Sequence, residues 1–198
     1  GRGKLYLAGE ALAHGEEDRQ RKAELQANQL ERELGSSSLG EMIPPMIDRQ
    51  QSNLYGIDVF RQMFTPRQRC TLLTMAREIR RVHVTMLKDG MPEARAQAGT
   101  TYLGLWLSRL TNRFNSLCRW NNAREVIQGM TDMKRFAMMW DYPELNIFGG
   151  ASGDAWGNLE YITAAIRQEG ASRLPAKCVR GSATEVPFTD GFFDAVIT

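Results

Sequence analysis

Cysteine and histidine are scarce in this chain, with three and two residues respectively among 198. Cys70, Cys118 and Cys178 lie far apart and form no Cys-x-x-Cys pair, and neither His14 nor His83 is close to any of them. The spacing of a zinc site is therefore missing from this segment. An odd and low cysteine count also argues against a disulfide framework and fits reduced, cytoplasmic thiols. No apolar run approaches the roughly 20 residues that a membrane-spanning helix needs. The opening Gly1-Arg2-Gly3-Lys4 has no initiator Met and no signal-peptide pattern, as expected for the interior of a longer chain. What is present suits a soluble, folded protein: 42% hydrophobic residues are enough for a core, and 24% charged residues are enough for a surface.

A formal net charge of +2 conceals an uneven distribution. Between Arg61 and Arg135 there are 14 Lys or Arg against 5 Asp or Glu, a net of +9, so the remainder of the chain carries −7. A basic middle third of this strength can sit against phosphate, although solvated helix faces would produce the same count.

The hydrophobic pattern divides the chain into three segments, 1–40, 41–150 and 151–198. In the first, Ala23, Ala27, Leu30 and Leu34 recur at helical spacing, which predicts a thinly apolar helix from Glu16 to Leu34 with Gly35 as its C-cap. So little apolar surface implies weak packing, or pairing with a part of the protein outside this chain. Pro44-Pro45 and an absence of periodicity mark Glu41 to Asn53 as an extended linker. The second segment holds the sharpest signal, Phe64-Thr65-Pro66-Arg67-Gln68. Thr65 suits the N-cap, Pro66 the first helical position, and Gln68 completes a capping box. That helix should run to about Lys88 with Leu72, Met75, Ala76, Ile79 and Val82 on one face. After Gly90, Pro92 should start a second helix reaching about Phe114, with Leu103, Trp106, Leu107, Leu110 and Phe114 inward. The two are expected to form an antiparallel pair. Residues 115–150 show aromatics without a clear period, and Trp120 and Trp140 read as core.

The third segment changes grammar. A helix from Gly157 to Glu169, with Leu159, Ile162, Ala165 and Ile166 inward, is followed by a strand at 177–181. A loop at 182–188 and a Thr189-Asp190-Gly191 turn lead to a buried strand at Phe193–Thr198. Helix, strand, loop and strand are the units of a doubly wound sheet, so the fold class expected is α/β: a mainly helical central region leading into part of a Rossmann-like sheet.

The run Val179 to Thr198, with Val186-Pro187, Asp190-Gly191 and Phe193-Asp194-Ala195-Val196, resembles the middle of class I S-adenosylmethionine-dependent methyltransferases. Phe64 to Gln68, Ser116-Leu117-Cys118-Arg119-Trp120-Asn121 and Met139-Trp140-Asp141-Tyr142-Pro143-Glu144-Leu145-Asn146 resemble, in that order, the zinc-ribbon-containing adenine-specific DNA methylases of prokaryotes. The likeness covers roughly residues 50–198. It implies a cytoplasmic enzyme that transfers a methyl group from S-adenosylmethionine to adenine N6 of a base flipped out of double-stranded DNA. It also implies a link to restriction or phage defence and to protein partners there, and no contact with membranes.

The resemblance places the glycine-rich cofactor loop and the zinc ribbon upstream, and the Asp-Pro-Pro-Tyr motif directly after Thr198. No catalytic residue is then expected within these 198 residues. Ser182 and Ala183 are the expected cofactor contacts, beside the adenine ring of S-adenosylmethionine. Ser182 stands where the common pattern has Asp, a stronger partner for the adenine amine than a hydroxyl. Arg67, Arg80 and Arg81 are the candidate nucleic-acid contacts, with Arg67 left open between a carboxylate, a phosphate of DNA and no partner. Asn112, Asn115 and Asn121 have the chemistry to read base edges. Asp141 and Glu144 could hold an Arg or a backbone N–H, and Asp194 could order the start of its strand. Cys118 reads as buried and inert, and His83 as solvated. A reading from another class is a non-catalytic nucleic-acid-binding helical module joined to a Rossmann-like remnant.

Overall fold

Helix α1 spans Glu16–Leu34, with Glu16, Glu17 and Asp18 in its first turn, where negative charge complements the helix dipole. Gly35 ends it in the left-handed region at φ 62°, and its N–H bonds back to Arg32 and Glu31 carbonyls. A computed structural model of the chain describes residues 15–35, 38–44, 52–132, 136, 138–170, 178–179, 181–182 and 184–197. These fall into two units, Gly1–Ala164 and Ala165–Thr198. Among the described residues the fold is mixed α/β, with four α-helices and one two-stranded antiparallel sheet.

The centre of the first unit is α2, Pro66–Lys88. Its capping box forms as the residue types dictate: the Gln68 N–H donates to Thr65 Oγ1 at 3.2 Å, and the Thr65 N–H donates to Gln68 Oε1 at 2.9 Å. Two faces of α2 are buried rather than one. Leu73 packs with Ala27, Leu30 and Leu34 of α1, while Leu72 joins a second cluster with Leu110, Phe114, Cys118, Ile127, Leu145, Ile147 and Ala155. The thin stripe of α1 therefore does find its partner inside this chain. Two charged side chains reinforce it: the mostly buried Arg69 donates to Asn28 Oδ1 at 2.9 Å and faces Glu31 at 3.4 Å. Val82, expected inward, is exposed, because α2 runs on beyond the elements that cover its first half.

Helix α3, Glu93–Thr111, follows a short turn in which Gly90 adopts φ 82°, and it ends three residues before the expected Phe114, which packs into the core from the turn beyond it. Leu72 meets Leu110 and His83 meets Thr100, so α2 and α3 run antiparallel. Residues 119–128, which show no period in sequence, form a hairpin. Strand β1, Arg119–Asn121, pairs with β2, Val126–Gln128, in the register Trp120↔Ile127, and Glu125 turns the chain at φ 48°. Strands of three residues are too short to show an alternation. Trp120 and Trp140 are exposed rather than core, Trp140 at 85%, because Leu145 and Ile147 fill the interior instead.

Helix α4, Ala155–Glu169, begins two residues before the expected Gly157. Asp154 caps it, its Oδ1 accepting the Gly157 N–H at 2.8 Å. Its buried residues are Ala155 and Asn158. The expected inward residue Ile166 is exposed at the far end of the helix, in the second unit.

In the second unit, the parallel strands expected at 177–181 and 193–198 are not found among the described residues. Ser182 and Glu185 form an isolated antiparallel bridge, and Gly191 at φ 73° makes the expected turn, with the Phe192 N–H bonded to the Thr189 carbonyl at 3.2 Å. Beyond it, Val196 is 75% and Ile197 96% exposed. A parallel strand needs a neighbour for its backbone groups and cover on both faces. The described residues supply neither, so among them the apolar pattern has nothing to pair with. Lys177, Arg180 and Thr198 lie outside the described residues.

Candidate nucleic-acid interface

The basic residues of α2 separate into two places, about 20 Å apart at 1.5 Å of rise per residue. Arg67, in the first turn, bridges two carboxylates. Its Nη1 lies 2.7 Å from Glu16 Oε1, and its Nη2 contacts Glu144 Oε2. Thr65 Oγ1 also donates to Glu144, at 3.2 Å. Hydrogen bonding to Gln20, together with Arg19 and Arg67, holds the Glu16 carboxyl below its ordinary pKa, so Glu16 is ionised at neutral pH. A cation is unfavourable at a helix start, and the two carboxylates explain how it is tolerated. Arg67 thus ties the first turn of α1 and the segment around Glu144 to the start of α2.

Arg80 and Arg81 belong to the second place, near the end of α2, and the structure adds Arg77 and Lys88 to them. With Glu33, Leu34, Val84 and Thr85 they line an open groove of about 410 Å³. Arg80 Nη1 donates to the Leu34 carbonyl at 2.7 Å and so satisfies one of the free carbonyls at the end of α1. Arg77 and Arg81 share Glu78, at 2.9 and 3.3 Å, and the Arg81 side chain remains 70% exposed. Four cations against Glu33 in the lining and Glu78 beside it leave a positive surface. The sequence reading paired Arg67 with Arg80 and Arg81. Helical spacing keeps the last two near one another and sends Arg67 elsewhere.

The remaining candidates serve local structure. Asn115 is fully buried; it donates to the Thr111 and Asn112 carbonyls and accepts the Leu117 N–H at 2.8 Å. Asn112 Oδ1 accepts from Thr131, and Asn121 Oδ1 accepts the Arg124 N–H at 3.0 Å. Base-edge reading is thus closed to Asn115, whose amide is fully engaged. Cys118 is enclosed as expected, and burial raises its pKa. His83 is half-buried rather than solvated, with Nδ1 3.3 Å from Thr100 Oγ1. In the second unit, Ser182 Oγ engages Thr184, at 2.8 Å from its hydroxyl and 3.2 Å from its N–H. Ser182 is therefore part of an exposed local turn, not the tip of a strand, and Ala183 lies outside the described residues. Asp194 is exposed and starts no strand.

One cluster escaped the sequence reading. Arg109 of α3 and Arg113, in the turn that follows it, face the segment Gly150–Asp154 and the start of α4 across a cleft of about 450 Å³, with Trp156 and Tyr161 beside them. Its signal in the sequence was Gly149-Gly150-Ala151-Ser152-Gly153 directly before a helix. Among the described residues no group of His, Cys, Asp and Glu could hold a metal ion, and no helix is long and apolar enough to cross a membrane. No family model, curated protein or solved structure matches this chain.

Proposed function

We propose that this chain is the DNA-facing portion of an S-adenosylmethionine-dependent DNA adenine-N6 methyltransferase of the zinc-ribbon-containing kind, with the end of α2 resting on the phosphate backbone of the duplex. The observation that carries the DNA contact is the groove holding Arg77, Arg80, Arg81 and Lys88 together. Arginines held by neighbours are oriented in advance, so less side-chain entropy is lost when they meet a phosphate. The methyl-transfer half rests on the likeness of Val179 to Thr198 and on the Phe64 to Gln68 helix start. In that reading a Rossmann-like sheet is completed by the residues that follow Thr198. Ser182 and Ala183 then lie beside S-adenosylmethionine, and the flipped adenine meets the Asp-Pro-Pro-Tyr motif.

The experiment is methyl transfer from labelled S-adenosylmethionine to duplex DNA by the full-length protein, together with DNA binding across a salt series. Label in N6-methyladenine is the expected product. Arg81→Gln with Lys88→Gln should weaken duplex binding and flatten its salt dependence by roughly one unit of slope per lost phosphate contact. Unchanged binding and slope would remove the α2 groove from the interface.

The stretch at 193–197, exposed and without a strand partner among the described residues, favours a second reading, a nucleic-acid-binding helical module with a Rossmann-like remnant that does not catalyse. Duplex binding through α2 without any methyl transfer by the full-length protein would select it.

A further inference from the structure

Two guanidinium groups line the cleft between α3 and the start of α4, and among the described residues neither forms an ion pair, although Asp154 and Glu160 line it too. Most arginines of α1 and α2 meet carboxylates: Arg19, Arg21, Arg67, Arg69, Arg77 and Arg81 all do. Among the described residues neither Arg109 nor Arg113 forms such a pair, although both line the cleft. Arg109 is fixed in place, its Nε donating to Asn158 Oδ1 at 2.6 Å and its Cζ lying 5.0 Å from the centre of the Tyr161 ring. The Nε of Arg113 is enclosed and has no hydrogen-bond partner among the described residues.

The opposite wall is backbone. Gly153, at φ 91°, approaches so closely that a Cβ there would come within 2.7 Å of the Arg113 Cδ. The amides at the start of α4 are not the attraction, because Asp154 already caps them and turns its carboxylate toward Gly157. Glu160 also borders the cleft, near Tyr161 and away from the glycine wall in sequence. Flat apolar surface completes the site. Trp156 is 59% and Tyr161 68% exposed, and Trp156 is braced by Phe148 with ring centres 6.4 Å apart. The scaffold is rigid: Trp106 Nε1 donates to the Ala155 carbonyl at 2.7 Å, and buried Asn158 donates to the Gly153 and Asp154 carbonyls at 2.8 Å each.

We infer that this cleft binds an unpaired nucleotide of single-stranded DNA, with its phosphate on Arg109 and Arg113 and its base stacked on Trp156. Unpaired anion-binding groups beside exposed rings match the two halves of a nucleotide, one charged and one flat, and bases stack on aromatic faces largely without regard to sequence. A duplex cannot use such a site, since its bases already stack on one another. The inference stands apart from the duplex contact proposed for α2 and from the methyltransferase reading, because it uses different residues.

The test is fluorescence anisotropy of labelled oligothymidylate with the intact protein, read beside the protein's own tryptophan emission. Wild-type protein should bind at micromolar concentrations, with quenched emission. Trp156→Ala should weaken binding about tenfold, Trp156→Phe should keep most of it, and Arg113→Gln should weaken it and reduce its salt dependence. An abasic oligomer should bind more weakly and leave the emission unquenched. Trp156→Ala and Arg113→Gln binding like wild type, or equal affinity for the abasic oligomer, would overturn the inference. So would the absence of saturable binding. Arg81→Gln with Lys88→Gln should spare oligothymidylate while lowering duplex affinity, so the two sites can fail separately.

Discussion

At the scale of single residues, burial decides chemistry. Cys118 has no exposed surface and its Sγ lies 3.0 Å from the Asn115 carbonyl, whereas Cys178 is exposed. Burial raises the pKa of Cys118 and, against the lowering effects of Thr74, Arg69 and Arg77, that of Cys70. The reactive form is the thiolate, so a raised pKa and low access act in the same direction. A disulfide reagent under native conditions should label Cys178 at once, Cys70 slowly, and Cys118 only on unfolding. Fast labelling of Cys118, located by mass spectrometry, would contradict the packing described. The sequence left Arg67 open between carboxylate, phosphate and no partner. Two carboxylates from distant parts of the chain, Glu16 and Glu144, answer it. Neither residue lies near Arg67 in sequence, and no local pattern could have paired them.

At the scale of elements, α1 shows how few apolar side chains suffice when a partner is in place. Ala27, Leu30 and Leu34 are its buried residues, and they meet Leu73 of α2. Removing most of a buried leucine leaves a cavity as well as losing transfer free energy, so Leu30→Ala should cost about 2–5 kcal/mol in denaturant unfolding. Leu25→Ala, on the exposed side of the same helix, should stay within about 0.5 kcal/mol. Equal effects would mean that α1 is not docked through the face seen here. The boundaries of α1 and α2 were legible in full, because Gly35, Thr65, Pro66 and Gln68 are signals written within a single turn. The hairpin of β1 and β2 was not. Its strands are three residues long, and its turn uses Glu125 at φ 48° rather than a glycine.

At the scale of the whole molecule, protection should be uneven. Amides around Leu72 of α2, Leu110 of α3 and the following Phe114 sit in or beside the larger core cluster. Those of residues 193–197 have no ladder partner among the described residues. Hydrogen exchange followed by mass spectrometry should find slow exchange in the first set and fast exchange in the second. Protection at 193–197 in the isolated chain would show that a strand forms there after all. The same segment in the full-length protein should become protected if a parallel sheet is completed around it.

The sequence by itself determined where helices α1, α2 and α3 lie, that Cys118 is enclosed, and that the basic residues concentrate in the middle of the chain. Each of these depends on near neighbours or on composition. Only the tertiary structure decided which charges remain available. Arg67 is taken up by carboxylates far away in sequence, Arg80 and Arg81 share a groove with Arg77 and Lys88, and Arg109 and Arg113 line a cleft with Trp156 and Tyr161 without an ion pair among the described residues. The physical reason is range: capping and periodicity act across a few residues, whereas pairing, burial and desolvation depend on what the fold brings alongside.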